Sequence, residues 1–187
     1  MTATEAEREL AKHLESGERL VWSGVPRQGI AFRKSDLFLV PFSVMWGGFA
    51  IFWEASVLTS DAPLFFYLWG IPFVLVGLYI MFGRFVVDAR MRARAAYGLT
   101  DRRIIIVSGL VSRSVKSLQL RTLSDLTLEE KIDGSGTITF GPAHPAARWF
   151  AGAAWPGTGS YQAPAFELIP SASEVYRRIR DAQVNTR

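Results

Sequence analysis

The chain has 187 residues, a formal net charge of +4 and a hydrophobic content of 49%. It contains no cysteine, which excludes disulfides, thiol nucleophiles and cysteine-ligated zinc or iron–sulfur sites. None of the 21 Lys and Arg residues lies within residues 35–83. A soluble globular domain spreads its apolar residues through periodic elements, so this segregation indicates a membrane protein rather than a wholly soluble one.

Residues 1–15 predict a short amphipathic helix rather than a signal peptide, because they are acidic and lack a continuous apolar stretch. Thr4 and Glu7 have the spacing of a capping box. The apolar residues, among them Leu10, share one face, so we expect this helix to pack on its own protein. A helix lying on a membrane would want a more basic polar face. Residues 1–34 are thus interpreted as a cytoplasmic N-terminal helix and lead-in.

Two apolar tracts follow, and each is long enough to cross a bilayer. A spanning helix needs about 20 apolar residues, and the tracts predict spans at about residues 37–58 and 62–83 within a transmembrane hairpin over 35–87. The alternative is a pair of soluble core helices, apolar on every face. The rest of the chain is too short to surround such helices on all sides.

The orientation of the hairpin follows from its flanking basic residues. The loop between the tracts contains no Lys or Arg, whereas both outer flanks are basic: Arg27, Arg33 and Lys34 before the first tract, and Arg84, Arg90, Arg92 and Arg94 after the second. The positive-inside rule then places both termini in the cytoplasm.

The remaining chain predicts short antiparallel strands and one helix. Runs of β-forming residues are separated by turn residues, and Asp133-Gly134 is a hairpin signal. A helix begins after Pro170. We predict a small β-barrel or sandwich capped by a C-terminal helix, and therefore an α+β membrane protein. The predicted strands cover residues 97–99, 103–108, 111–120, 126–131, 137–140 and 166–169.

Several of these stretches resemble the bacterial pleckstrin-homology-like (PH-like) domain of membrane-anchored proteins. They are YGLTDRRIIIVSGL at 97–110, SVKSLQLRTLSDLTLEE at 114–130, GSGTITFG at 134–141 and the terminal amphipathic helix, while GERLVWSGVPRQG at 17–29 is similar to the lead-in before the first span. The resemblance implies a PH-like domain over 95–183 behind two membrane spans, in a bacterial inner membrane. It also implies frequent oligomerisation, but it does not imply phosphoinositide binding.

Five arginines near the membrane are candidates for binding lipid headgroups or another interface: Arg90, Arg92, Arg94, Arg102 and Arg103. Anionic headgroups attract such residues by about 1 kcal/mol each. The alternative is that the basic residues only set the topology, since any span needs positive charge on its cytoplasmic side.

A second candidate surface is the Gly-, Ala- and Pro-rich loop at residues 141–164. Loops of this length in compact domains are usually functional or disordered. Trp149, Phe150 and Trp155 argue against simple disorder and are candidates for a loop interface. They could instead cover an open edge of the sheet.

These patterns favour a non-enzymatic, membrane-anchored module that binds or scaffolds protein partners, copies of itself or anionic lipid. The partners would be the bilayer, a second copy and an unidentified membrane or cytoplasmic protein. The alternative is a small oligomeric transporter or channel subunit using Glu54, which lies near the outer end of the first span. We expect no cofactor, metal site, catalytic residue or nucleic-acid partner, because no catalytic constellation or phosphate-binding loop occurs and the basic residues cluster beside the membrane.

Overall fold

The computed structural model describes residues 1–32, 36–110, 112–141 and 163–186 and forms two compact units. One unit, which we call the β-unit, holds Met1–Gly29 and the described residues from Ala89 onward. The other, the helical hairpin, holds the described residues of Ile30–Asp88. In sequence, the hairpin is therefore an insertion into the β-unit.

The helical hairpin is built from α2 (Asp36–Leu58) and α3 (Leu64–Leu78). Five residues of π-helix, Tyr79–Gly83, then lead into α4 (Arg84–Ala93). Within the described residues, two helical stretches are long and apolar enough to cross a membrane: α2 and the continuous run Leu64–Ala93. The helices coincide with the two predicted apolar tracts to within a few residues.

Glycine allows α2 and α3 to pack closely. A Cβ atom on Gly77 would lie 2.9 Å from Cα of Gly47, so the two backbones touch at this point. Gly48 faces open space and has no atom near its missing side chain. Most large apolar side chains of the hairpin point outward, for example Leu37 at 86% exposure. Gly47 and Gly77 therefore serve the contact within the hairpin, while its outer surface is apolar.

One ion pair joins the two ends of the helical hairpin. Arg84 Nη1 lies 2.8 Å from Asp36 Oδ1, and both side chains are buried. Arg84 also stacks on the ring of Phe85, with its guanidinium carbon 4.4 Å from the ring centroid. Because α2 begins at Asp36 and α4 begins at Arg84, this pair fixes the first turn of one helix against the first turn of the other.

The β-unit contains two antiparallel sheets and two helices. The four-stranded sheet has the order β1-β2-β3-β4 and the three-stranded sheet the order β5-β6-β7. The elements are α1 (Ala3–Ala11), β1 (Leu20–Gly24), β2 (Ala96–Thr100), β3 (Arg103–Ser108), β4 (Ser114–Gln119), β5 (Leu126–Glu130), β6 (Gly136–Phe140), β7 (Ala165–Ile169) and α5 (Ala172–Asn185), with a 3₁₀ turn at Leu120–Thr122 between β4 and β5.

All six predicted strands and the C-terminal helix are present, but the closed-barrel alternative is wrong. Within the described part of the chain the two sheets are open and no strand ladder joins them. The four-stranded sheet also includes β1, which lies upstream of the predicted domain at 95–183. Gly24 of β1 pairs with Tyr97 of β2 across the inserted hairpin.

The N-terminal helix is present, but its predicted capping box is wrong. Thr2, rather than Thr4, accepts a hydrogen bond from the backbone N–H of Glu5, and Glu5 accepts one from the backbone N–H of Thr2. The sequence contains this spacing twice, since Glu7 follows Thr4 as Glu5 follows Thr2. Beginning at the first of the two gives the helix two more residues.

Strand β3 is buried on both faces because each face packs against a different partner. Ile104 and Ile106 belong to the main core, which lies between the sheets and α5. Ile105 and Val107 belong to a second cluster with the apolar face of α1. Successive residues of a strand point to opposite faces, so this run of apolar residues without alternation reflects two packed layers. The members of the second cluster are Ala6, Leu10, Ala96, Ile105 and Val107.

Candidate functional site

The five arginines predicted as a basic patch occupy different environments. Arg90, Arg94 and Arg102 are exposed, whereas Arg92 is buried and Arg103 is largely enclosed. The sequence therefore locates the basic residues but does not show which of them are accessible to a ligand.

Arg103 is held by the N-terminal segment. Its Nε and Nη2 donate to the two carboxylate oxygens of Glu18 at 2.9 and 2.8 Å, a bidentate pair. Nη2 also donates to the carbonyl oxygen of His13, and Nη1 lies 3.0 Å from Glu15 Oε1. The Glu18 side chain is fully buried. Arg103 therefore connects the lead-in to β3, and the N–H donors of its guanidinium group are engaged within the protein.

The carboxylate of Glu18 is stabilised by several donors besides Arg103. Thr100 Oγ1 donates to it at 2.7 Å and the backbone N–H of Glu15 at 2.8 Å. Burial by itself raises the pKa of Glu18, but these hydrogen bonds and the charge of Arg103 outweigh it and lower the pKa from 4.5 to about 2. Glu18 is therefore ionised at every physiological pH.

Arg92 also connects the two sequence segments of the β-unit. Its Nη2 donates to the carbonyl oxygen of Gly29 at 2.6 Å, and its own carbonyl oxygen accepts a hydrogen bond from the side chain of Gln28. The side chain is only 3% exposed. Arg92 therefore links the end of the lead-in to the end of α4 and has a structural role.

Arg94 lines an open cleft that we call the α1 cleft, with a volume of about 600 Å³. The cleft lies between α1 and the β3–β4 loop. Its charged lining residues are Glu5, Arg8 and Glu9 from α1, Arg94 from the segment before β2, and Arg113 from the loop. Arg94 thus shares this cavity with two further arginines, one from α1 and one from the β3–β4 loop.

Arg102 lines a second open cleft, the α5 cleft, with a volume of about 620 Å³. It lies beside the β2–β3 turn and the C-terminal half of α5. Arg121 and Arg178 join Arg102 there, and Asp101 and Asp181 reduce the positive charge. Arg178 is paired with Glu174, and Nε of Arg121 donates to the carbonyl oxygen of Thr186.

Sequence reasoning missed most partners of these arginines. Glu18 precedes a short apolar run, Leu20–Trp22, that is bounded by glycines and could have been interpreted as a strand. Such an assignment would have placed Glu18 beside a sheet. Arg8 and Arg113 carried no comparable signal, because their convergence depends on how α1 docks.

The loop candidates Trp149, Phe150 and Trp155 lie outside the described residues, as do Arg33 and Lys34 of the basic flank. Among the residues that the structure does describe, no group of three or more His, Asp or Glu side chains is arranged to hold a metal ion.

The family model described as the bacterial PH domain matches residues 37–183. No curated protein matches the chain. The matched range begins after β1, so α1, β1 and Glu18 precede it.

Proposed function

The chain belongs to the bacterial PH domain family, and on that premise we propose that it is a membrane-anchored, non-enzymatic module that binds or scaffolds partners at the cytoplasmic face of the membrane. The observation that carries the proposal is the insertion of two apolar helices between β1 and β2 of one sheet. A hairpin inserted there tethers the β-unit through two chain segments rather than one.

The apolar outer surface of the hairpin supports insertion into a bilayer. Side chains such as Leu37, Phe38 and Leu64 are more than 70% exposed. Large contiguous apolar surfaces of this kind are rare on soluble monomers. The flanking arginines favour an orientation with both termini in the cytoplasm and the loop at Thr59 outside.

Labelling of single cysteines tests this topology, since the native chain has none to remove. Thr59→Cys should react with a membrane-impermeant maleimide added to intact spheroplasts. Ile132→Cys, at a fully exposed position of the β5–β6 turn, should react only after the membrane is permeabilised. The reverse pattern, or recovery of the chain in the soluble fraction without detergent, would exclude the proposed anchoring.

The partners are proposed by chemical class: anionic lipid, a second copy of the chain, or another protein of the membrane or cytoplasm. Crosslinking in native membranes followed by affinity purification tests all three together. A chain that purifies as a monomer, without enriched lipid or protein, would contradict the scaffolding proposal.

A second candidate function, an oligomeric transporter or channel subunit, is favoured by one observation. Glu54 Oε2 is buried against the backbone of Gly70 and accepts no hydrogen bond from the described residues. Intramembrane carboxylates often serve ion pathways. Proton flux into proteoliposomes that disappears with Glu54→Gln would support this function, and equal flux in both proteins would exclude a role for Glu54.

A further inference from the structure

The α1 cleft lies at one end of the strands of the four-stranded sheet. At this end the chain passes from β1 into the hairpin and from the hairpin back into β2. β1 ends at Gly24, opposite the start of β2, and β3 ends at Ser108, opposite the start of β4. Because neighbouring strands are antiparallel, the β1–β2 connection and the β3–β4 loop lie at the same end of the sheet. The hairpin is the β1–β2 connection, and the β3–β4 loop lines the cleft.

Positive charge predominates in the cleft, because three arginine side chains line it and only two glutamates do. Glu5 is engaged in the capping box of α1, and Glu9 pairs with both Lys12 and Arg113. Arg8, in contrast, makes no ion pair or side-chain hydrogen bond within the described ranges. The cleft therefore keeps one uncompensated positive charge, and the guanidinium group of Arg8 is not held in an ion pair within the described ranges.

The arginines are positioned by separate elements and converge on one loop. Arg94 donates to the carbonyl oxygen of Leu110, and Arg113 reaches back to Glu9 on α1. Gly109 allows the turn between them, because its φ of +130° is unfavourable for other residues. The planar guanidinium groups of Arg94 and Arg113 each carry several N–H donors, and such groups suit hydrogen bonding to the oxygens of a phosphate.

We propose that the α1 cleft binds a phosphate-bearing anion through Arg8, Arg94 and Arg113. The phosphate belongs either to an anionic phospholipid headgroup or to a soluble phosphate ester; the lipid source rests on the proposed membrane anchoring. The site depends on α1, which lies outside the residues matched by the family model. Arg8 therefore lies outside the matched range, whereas Arg94 and Arg113 lie within it.

The full-length protein in an uncharged maltoside detergent provides the test, with native mass spectrometry measuring bound ligand. The probes are dioctanoyl phosphatidylglycerol, dioctanoyl phosphatidylcholine and glycerol 3-phosphate. We expect phosphatidylglycerol to bind more tightly than phosphatidylcholine. Arg94→Gln with Arg113→Gln should weaken its binding roughly 25-fold, from about fivefold for each lost arginine.

The matched control is Arg177→Gln with Arg180→Gln, which removes the same charge from two exposed arginines of α5 outside the cleft. We expect this control to bind as the wild type does. An equal loss in both double variants would overturn the proposal, because it would reflect net charge alone. Absence of binding to all three probes would also overturn it. Thermal unfolding must show that the variants are folded, and Arg8→Gln, which breaks no ion pair, supplies an independent variant.

The probes distinguish the two sources of phosphate. Binding of phosphatidylglycerol that glycerol 3-phosphate does not displace supports the lipid headgroup, while tight binding of glycerol 3-phosphate supports a soluble ester. Cysteine labelling reports on membrane anchoring independently. If the labelling contradicts membrane anchoring while glycerol 3-phosphate still binds, the phosphate site in the cleft is supported and only the lipid as its ligand is excluded.

Discussion

At the residue scale, two arginines adjacent in sequence have different roles. Arg103 is enclosed by Glu18, Glu15 and the carbonyl oxygen of His13, whereas Arg102 is exposed in the α5 cleft. Consecutive residues at the start of a strand point in different directions, and only one direction leads to the buried carboxylate. We therefore assign Arg103 a structural role and leave Arg94 as the main candidate for ligand binding.

Glu18→Gln should destabilise the protein by roughly 2–4 kcal/mol at pH 7, because Arg103 then loses its charged bidentate partner in a buried site. Thermal unfolding of the detergent-solubilised protein measures the change. Glu174→Gln removes the carboxylate from the exposed pair with Arg178 and should change the stability by less than about 1 kcal/mol. Similar losses in the two variants would contradict the assigned role of Glu18.

The same carboxylate predicts how stability depends on pH. The pKa of Glu18 is lowered in the folded protein to about 2, from 4.5. The ionised form is thus favoured by folding, by about 3 kcal/mol. This contribution is complete above about pH 5 and is lost as the pH falls from about 4.5 to 2.

Unfolding measured across this range should show wild type and Glu18→Gln converging as the pH falls. At about pH 2 half of the Glu18 carboxyl groups are neutral in the folded protein, and at lower pH the residue becomes fully neutral, as glutamine always is. A stability difference that stays constant between pH 7 and pH 2 would show that the charge of Glu18 is not the source of its effect.

At the scale of elements, α1 completes the β-unit by covering the second face of the four-stranded sheet. Ala6 and Leu10 are fully buried against Ile105 and Val107. Without this helix, the four-stranded sheet would expose branched apolar side chains on its outer face.

Leu10→Ala should therefore cost roughly 2–4 kcal/mol in the free energy of unfolding, the usual range for a buried leucine. Val184→Ala, at a position with 70% exposure on α5, should have little effect and serves as the control. Equal unfolding temperatures for wild type and Leu10→Ala would mean that α1 does not pack as described.

The contact between α2 and α3 gives a second prediction at this scale. Gly77→Val should force the helices apart, because a side chain there would meet the backbone of Gly47. Gly48→Val should be tolerated, since that position faces open space. The unfolding temperature in detergent should fall only for the first variant, and an equal response of the two would exclude this packing.

At the scale of the whole molecule, the β-unit is assembled from two segments separated by the hairpin. Its sheet pairs Gly24 with Tyr97, and Arg92 bonds to Gly29. The segment boundaries are therefore held by contacts within the β-unit itself.

A shortened chain tests whether the β-unit folds without the hairpin. Residues 1–29 joined to residues 89–187 by about six Gly/Ser residues, a linker spanning roughly 13 Å, should be soluble and cooperatively folded. A fragment of residues 95–187 should not be, because it lacks β1, α1 and Glu18. Circular dichroism and thermal unfolding distinguish the two, and a stably folded 95–187 fragment would contradict the interdependence.

The sequence by itself determined the apolar hairpin, the strand pattern after it and the family, which the match over residues 37–183 confirms. These features depend on local periodicity, on length and on turn residues such as Gly134, which can be recognised without knowing what packs against them. β1 was not assigned from the sequence, although Leu20–Trp22 is a short apolar run between glycines, because a five-residue strand is identified mainly by its pairing with Tyr97 and its neighbours across the hairpin.

Only the tertiary structure decided the roles of the arginines. Whether a guanidinium is buried beside Glu18 or open in the α1 cleft depends on which segments meet in space. The uninterrupted apolar run of β3 is typical of a strand covered on both faces, but only the structure shows what covers them. The docking of α1 supplies that cover and also one wall of the cleft, since a helix placed by long-range packing brings together charges that no local pattern connects.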